Sequence, residues 1–542
     1  MKSLPTSLFL MLVLSLAGCG GGIPDADEAA SRGILLVGNG AEPRTMDPQR
    51  MTAVNEAQVS NALCEGLIGF HLTDDNLPAP GVAASWEHNA DASVWTFHLQ
   101  PEARWSNGDP VTAEDFVYSY RRLLDPAFPG QYAQMLYQLK NGQAYKEGDL
   151  SDFAEVGVKA VDEKTLQLEL IGPTPYFLNM LKHQSWYPVH PPTIEAFGGP
   201  LDLDGEWTLP GNYVSNGTFM LEEWLPDQYL RVVRNPHYWG NAGTRLNEIY
   251  FFPVADASME KMMFESGRLH ITNRVPSNSV PVLRETRPEI IHVDPYLSTT
   301  YILVNVHRPP LDNPLVREAL AWSLDRQTMV DKVLLGGQHP AGSMVPPGFS
   351  GYRYPEGVAF DPERARARLA EAGYAEGEGF PELTLLLPSL GSIRKLAEAI
   401  VEMWRENLGI DIILENKEPK VWLDVLDQQD YDLSGVGWYG DYMDPITFLE
   451  IFRTGNGNNN TGWSNARFDE LLHSAFRAPT REQHYRDLEA AEAILVEELP
   501  GIPLYNANNL YLMDPRVRNW FPKLLNNHPF QQVYFAEPVT AE

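Results

Sequence analysis

Cysteine, positive charge and long apolar runs are what this chain has least of. Its 542 residues include two cysteines, Cys19 and Cys64, too few for a cysteine-rich zinc site. The 13 histidines are scattered and form no H-E-x-x-H pair. Lys and Arg number 41 against 72 Asp and Glu, a formal net charge of −31. Without clustered basic residues, neither nucleic acid nor an anionic membrane surface is expected as a partner. After the amino terminus, no apolar run reaches the roughly 18 residues that a spanning helix needs. There is no G-x-S-x-G, no P-loop, no Gly-rich phosphate fingerprint after a strand and no internal repeat. Ser392 and Lys395 match S-x-x-K, but the S-D-N and K-T-G partners are missing. Ser392 also falls at an expected helix start, where serine caps well.

What is present points to a folded globular protein. Hydrophobic residues make up 44% and charged residues 21%, the balance of a globular chain. At roughly 150 residues per domain, the length suggests about three domains. Aromatics at 11% suit a broad amphipathic surface, and 43 prolines with 42 glycines imply many short elements joined by turns. Cys64, inside ALCEGLIGF, reads as a buried core residue.

The first residues, MKSLPTSLFLMLVLSLAGCGGG, combine a basic start, a short apolar run and small residues. That is a secretory signal. Its end, Leu16-Ala17-Gly18-Cys19, resembles a bacterial lipobox. The resemblance implies a signal peptide over 1–18, lipidation of Cys19 and stable anchoring by several acyl chains. Residues 19–32, Gly-rich and then acidic, read as a flexible tether.

Along the mature chain, alternation around Trp95, Phe97 and Leu99 predicts a strand. Asn107-Gly108 marks a turn, and Thr112 with Asp115 marks a helix start with Phe116, Tyr120 and Leu123 on one face. Further strands are expected in VKAVDEKTLQLEL, YLRVVRN and RLNEIYFFPV. From Asp361 the pattern is helix, strand, helix, strand, with Pro362 at the first helical position and Gly373 at its end. This predicts an α/β unit with parallel pairing. Residues 481–498 predict a late helix.

GVGWYGDYMDPITF (435–448) holds two carboxylates, Asp441 and Asp444, three residues apart among glycines and aromatics. Taken alone, the pair fits acid–base chemistry, a cation site or a turn.

Several stretches together resemble the peptide-binding, family 5 group of ABC-importer solute-binding proteins, especially the oligopeptide-binding proteins. They include MDPQ (46–49), CEGLIGF (64–70), residues 78–126 from PAPGVAASWEH to YRRLLDP, SNGTFMLEEW (215–224), VVRNPHYWGN (232–241), DPYLSTTYILVN (294–305) and GWYGDYMDP (437–445). The resemblance implies an α/β, two-lobed periplasmic-binding-protein-like fold (type II, cluster C) with an additional domain inserted on one lobe. Lobe I would comprise 33–64, 190–293 and 508–542, the extra domain 65–189, and lobe II 294–507. The chain would cross between lobes near Tyr296 and again near Leu504–Asn508. It also implies a monomer outside the cytoplasm that hands short peptides to permease subunits, with no catalysis, cofactor or metal.

Within that resemblance, Asp441 matches the residue that pairs with the ligand's amino terminus, because a buried ammonium needs a fixed carboxylate. Asp444 precedes Pro445 and would shape the turn and start a helix. Two anions sharing one cation stay an alternative. The ligand backbone would add as a strand against Val436, Gly437 and Trp438, with Thr52 and Val54 on the opposite wall. Trp438, Tyr439 and Tyr132 are candidates to line side-chain pockets. Relatives carry an acidic residue at the place of Thr52. Where relatives grip some ligand carboxylates, this chain has Gly435 and Ile393, and Leu303 replaces an acidic residue. Alternatives are another family 5 ligand (a dipeptide, a cell-wall peptide, an opine-like compound or a metal chelate) and a secreted hydrolase using Asp441 and Asp444.

Overall fold

Helix starts are fixed by side chains at the positions the sequence marks. In the computed structural model, which describes residues 22–389 and 393–536, Thr112 accepts the backbone N–H of Asp115, while Asp115 accepts that of Thr112 at 2.8 Å. This reciprocal cap opens the helix Ala113–Leu124. Asp361 caps Pro362–Glu371 by accepting the Arg364 N–H at 2.9 Å, and Gly373 follows its end at φ +99°. The signal sequence, Cys19 and Ser392 lie outside the described residues. Cys64 is buried, its thiol 3.2 Å from the Tyr213 hydroxyl, and burial pushes its pKa up to about 11.

Three sheets organise the chain. The first runs in the order Ile34–Gly38, Glu248–Phe252, Tyr229–Arg234, Phe219–Leu225, its first pair parallel and the rest antiparallel. The second is antiparallel, in the order Ala83–His88, Val94–Leu99, Thr165–Glu169, Val158–Asp162. The third has six strands: His339–Pro340, Gly501–Asn506, Ser298–Val304, Leu433–Tyr439, Leu383–Pro388 and Ile412–Lys417. Its last two strands pair in parallel from Leu383↔Ile412 to Pro388↔Lys417, with the helix Ile393–Leu408 between them in sequence. That is the α/β unit the sequence predicts.

The first and third sheets are the hearts of two lobes, and the chain passes between them twice, side by side. Ile291–Pro295 pairs antiparallel with Asn508–Leu512. Each continues directly into the six-stranded sheet, as Ser298–Val304 and Gly501–Asn506. Between the two ladders, Tyr296 donates its N–H to the Ala507 carbonyl at 3.3 Å. Two adjacent strands are a connection that bends more easily than it shears.

Separate cores underlie these sheets. One gathers Leu35, Val59, Phe219, Val232, Ile249 and Phe251. Another gathers Ile302, Leu320, Leu385, Ile400 and Trp404. The largest joins Phe97, Phe116, Tyr120 and Trp186 from the second sheet's unit to Tyr442, Phe448 and Leu488 from the third.

Candidate ligand-binding site

Strand Leu433–Tyr439 is paired along one edge for its whole length, from Ser298↔Tyr439 to Val304↔Leu433. On the other edge, Leu383–Pro388 reaches it only at Leu433 and Ser434. From Gly435 to Tyr439 that second edge has no strand partner among the described residues. A bare edge is a template for one more strand. Gly437 is exposed. A Cβ built there meets Thr300 Oγ1 at 3.7 Å and Tyr439 at 3.9 Å, ordinary contacts. The chain's own packing therefore does not demand glycine at 437, and its open side faces outward.

Successive strand residues face opposite ways, so Val436 and Trp438 share one face and Tyr439 lies on the other. Trp438 is partly buried against the large core, with its indole N–H unpartnered. Tyr439 stands 5.0 Å from the ring of Tyr296, at the crossing point. The two aromatics thus cannot line a single pocket.

Past the strand, the two carboxylates separate. Asp444 is buried and accepts the N–H of Ile446, the first residue of the helix Ile446–Leu449, at 3.0 Å. It also meets His484 Nε2 at 2.8 Å. Burial alone would pull His484 down, but the charge and hydrogen bond of Asp444 outweigh it and its pKa is raised. Asp444 is a cap and an ion-pair partner, as its place before Pro445 suggests. Asp441 has no basic partner among the described residues. Its Oδ1 accepts the Tyr132 hydroxyl at 3.3 Å, and its N–H donates to Thr447 Oγ1 at 3.3 Å. Burial, then the charge of Glu450, pushes its pKa up to about 7. Glu450 is itself pushed up to about 7, chiefly by burial, and accepts the Tyr442 hydroxyl at 3.0 Å. Within 441–450, only the two ends, Asp441 and Glu450, keep appreciable accessible surface. The charge of Arg453 bears on Glu450, but Asp441 has no ion pair among the described residues, and such a carboxylate suits a cationic ligand group.

Tyr132 precedes the short helix Ala133–Gln138 and packs against His183, ring centroids 4.6 Å apart. The structure thus brings Tyr132 to Asp441 across some 300 residues of chain. Thr52 and Val54 stand at a helix start. Val54, 48% exposed, opens the helix Val54–Leu63. The N–H groups of Thr52 and Ala53 both donate to Glu56 Oε2, at 2.9 and 3.0 Å, and Arg44 donates to the Thr52 hydroxyl. Helix capping by Glu56 thus uses the Thr52 and Ala53 N–H groups, which are not left for a ligand strand.

Two residues near the site escape sequence reasoning. Glu450 carries no signal beyond its charge, since only the turn after Asp441 brings it back. Arg274 lies far away in sequence, yet its charge acts on the phenols of Tyr296 and Tyr439, partly offsetting the rise that burial gives each.

Comparison with known proteins places this geometry. Residues 78–460 match the family described as bacterial extracellular solute-binding proteins, family 5 Middle. The periplasmic oligopeptide-binding protein OppA of Escherichia coli (strain K12) is 35% identical over 514 residues, spanning 92% of each chain. Haemophilus influenzae OppA, solved in complex with the peptide RPPGFSPFR, is 31% identical with a TM-score of 0.79, covering 93% of this chain and 99% of that one. The Escherichia coli murein tripeptide-binding protein MppA is 32% identical over 93% of this chain and 98% of its own, with a TM-score of 0.81. Against the unliganded open form of MppA the TM-score is 0.75. No helix among the described residues is long and apolar enough to cross a membrane. The chain belongs to family 5 of the bacterial extracellular solute-binding proteins, with the oligopeptide-binding proteins.

Proposed function

We propose that this protein captures short peptides between its lobes and delivers them to the permease of an ABC importer, held at the membrane by a lipidated Cys19. Lobe I is assigned to 33–64, 190–293 and 508–542, the extra domain to 65–189 and lobe II to 294–507. The observation that carries this reading is the bare strand edge at Gly435–Tyr439 ending beside a carboxylate without a basic partner. An extended ligand hydrogen-bonds along that edge through its backbone, which every peptide has. Its α-ammonium then reaches Asp441, the charge that the site lacks. Closure of the lobes removes water from both, which strengthens the ion pair. Trp438 packs as wall rather than contact, whereas Tyr439 and Tyr132 face the ligand. Thr52 and Val54 contribute surface and carbonyls from the opposite lobe. Asp444 is committed to His484, which counts against a hydrolase that uses Asp441 and Asp444 together.

Calorimetric titration with one peptide, free and N-acetylated, tests the reading. The free form is expected to bind and the acetylated form to lose at least about tenfold, since one charge pair of this kind is worth 1.4 kcal/mol or more. Equal affinities would remove Asp441 from ligand recognition.

A further inference from the structure

Beside the bare strand edge, the structure supplies a candidate for holding an anionic group of the ligand. Ile271 bridges Val37 and Met513, at the carboxyl end of the parallel pair Ile34–Gly38 and Glu248–Phe252, the side of an α/β sheet where ligands are bound. The chain leaves that edge through Asn273 and Arg274. Glu260 accepts the Arg274 N–H at 2.8 Å, which pins the backbone, and its carboxylate also feels the charge of the Arg274 side chain. Arg274 is exposed, and its guanidinium has no hydrogen bond or ion pair among the described residues. The Arg274 charge also acts on the phenols of Tyr296, on the crossing segment, and Tyr439, at the end of the bare edge, whose rings stand 5.0 Å apart. Neither hydroxyl has a hydrogen-bond partner among the described residues. A guanidinium and two phenols thus gather hydrogen-bond donors at the crossing point.

We propose that Arg274, with the hydroxyls of Tyr296 and Tyr439, receives a carboxylate of the bound ligand and so sets the protein's specificity. This rests on the peptide reading above and extends it to the ligand's other charge. Arginine presents parallel N–H donors that match a carboxylate, and phenols donate alongside. The place of the carboxylate follows from the chain. Tyr439 is two residues before Asp441, and two residues span at most about 7 Å. The anionic and cationic sites are therefore near neighbours along an extended ligand. The carboxylate is the carboxyl terminus of a dipeptide or tripeptide, or an acidic side chain at the second position of a longer peptide.

Calorimetric titration of the full chain distinguishes these sources. One arm uses a neutral dipeptide and tripeptide as free acids and as C-terminal amides. The other uses a longer amidated peptide with Glu or Gln at its second position. The wild type is expected to prefer the carboxylate-bearing member of at least one pair by roughly tenfold, the gain for one charge-assisted contact. Arg274→Gln should bring that ratio close to one while leaving affinity for the uncharged member within about threefold, and Arg274→Lys should restore part of it. Because the fold uses the backbone N–H of Arg274, the melting temperature of both variants should match the wild type. Wild-type indifference to every pair, or a ratio unchanged in Arg274→Gln, overturns the proposal. N-acetylation of the same peptides probes only the Asp441 end. Loss on acetylation without carboxylate discrimination overturns the Arg274 assignment and leaves the peptide reading standing. Discrimination without loss on acetylation supports Arg274 and overturns the ammonium pairing.

Discussion

The unit built on the Val94–Leu99 sheet touches the rest of the molecule in two places, and the two contacts are made of different materials. Toward the first lobe, Arg122 meets Asp47 at 2.7 Å, with side chains 1% and 2% exposed. The same guanidinium donates to Gln49 Oε1 at 2.7 Å and to the Pro200 carbonyl at 2.8 Å. Lys523 and Asp75 form a second buried pair at 3.3 Å. Toward the other lobe, beside the shared apolar core, the polar and ring contacts include the Tyr132 hydroxyl on Asp441 at 3.3 Å, Asn179 Nδ2 on the Met443 carbonyl at 3.2 Å, and the stacked rings of Tyr176 and Tyr442 at 5.6 Å. Desolvated charges with their donors satisfied cannot be parted cheaply, because each would be left bare in a low dielectric. A neutral hydroxyl on a carboxylate exchanges for water or for a ligand at little net cost. The first contact is a joint, and the second is a latch.

Breaking the joint should have the largest effect. Asp47→Ala strands Arg122 in the core and is expected to cost about 3–5 kcal/mol of stability, read as a shift in denaturant midpoint. Peptide affinity of the remaining folded protein should stay within a few-fold of wild type, because Asp47 is not part of the binding edge. A stability loss under about 1 kcal/mol would mean that the two contacts do not differ in kind.

Asp441 sharpens the other side of the comparison. Asp441→Asn should weaken binding of a peptide with a free amino terminus by about 2 kcal/mol or more, yet stabilise the ligand-free protein. The folded pKa of Asp441, about 7, lies above the ordinary carboxylate value. Folding therefore takes up a proton between about pH 4 and 7, and stability falls as pH rises through that window. Above about pH 7 the penalty is constant. Ligand-free Asp441→Asn should thus melt higher than wild type at pH 8, with the advantage fading toward pH 4. Glu450, raised to a similar value, titrates in the same window, so wild-type stability should fall steeply there. A variant that melts lower than wild type at pH 8 would show that Asp441 serves the fold and not the ligand.

Which parts of this were legible in the sequence follows from the range of the forces involved. Caps at Thr112 and Asp361 are local, three residues from their targets, and the α/β unit from 362 to 417 follows from its periodicity. The separation of Asp441 from Asp444 was half legible. Asp444 stands before Pro445, which marks a turn, but its partner His484 lies forty residues away. The helix start at Thr52–Val54 was not legible, because Ala53 is a poor cap by type and Glu56 supplies the capping from inside the helix instead. Glu450 and Arg274 had no local signal at all. Only the fold brings one near Asp441 and sets the other opposite Tyr439.

The smallest effect, and the most direct on the latch, belongs to Tyr132→Phe. It deletes one hydroxyl from the contact with Asp441 and leaves the ring on His183. A hydrogen bond of this length in a partly wet site contributes about 0.5–1 kcal/mol. An ionised carboxylate accepts several donors at once, so the bound ammonium does not need to evict Tyr132, and affinity should fall by no more than about fivefold. The larger consequence is for the empty protein. With the hydroxyl gone, the contact between the small unit and lobe II loses its one bond to Asp441, and the ligand-free molecule should spend more time open. Small-angle scattering should then show a larger radius of gyration for ligand-free Tyr132→Phe than for wild type, with the two converging when peptide is added. Identical ligand-free profiles would mean that Tyr132 does not hold the lobes together, and that the ring stack and Asn179 do.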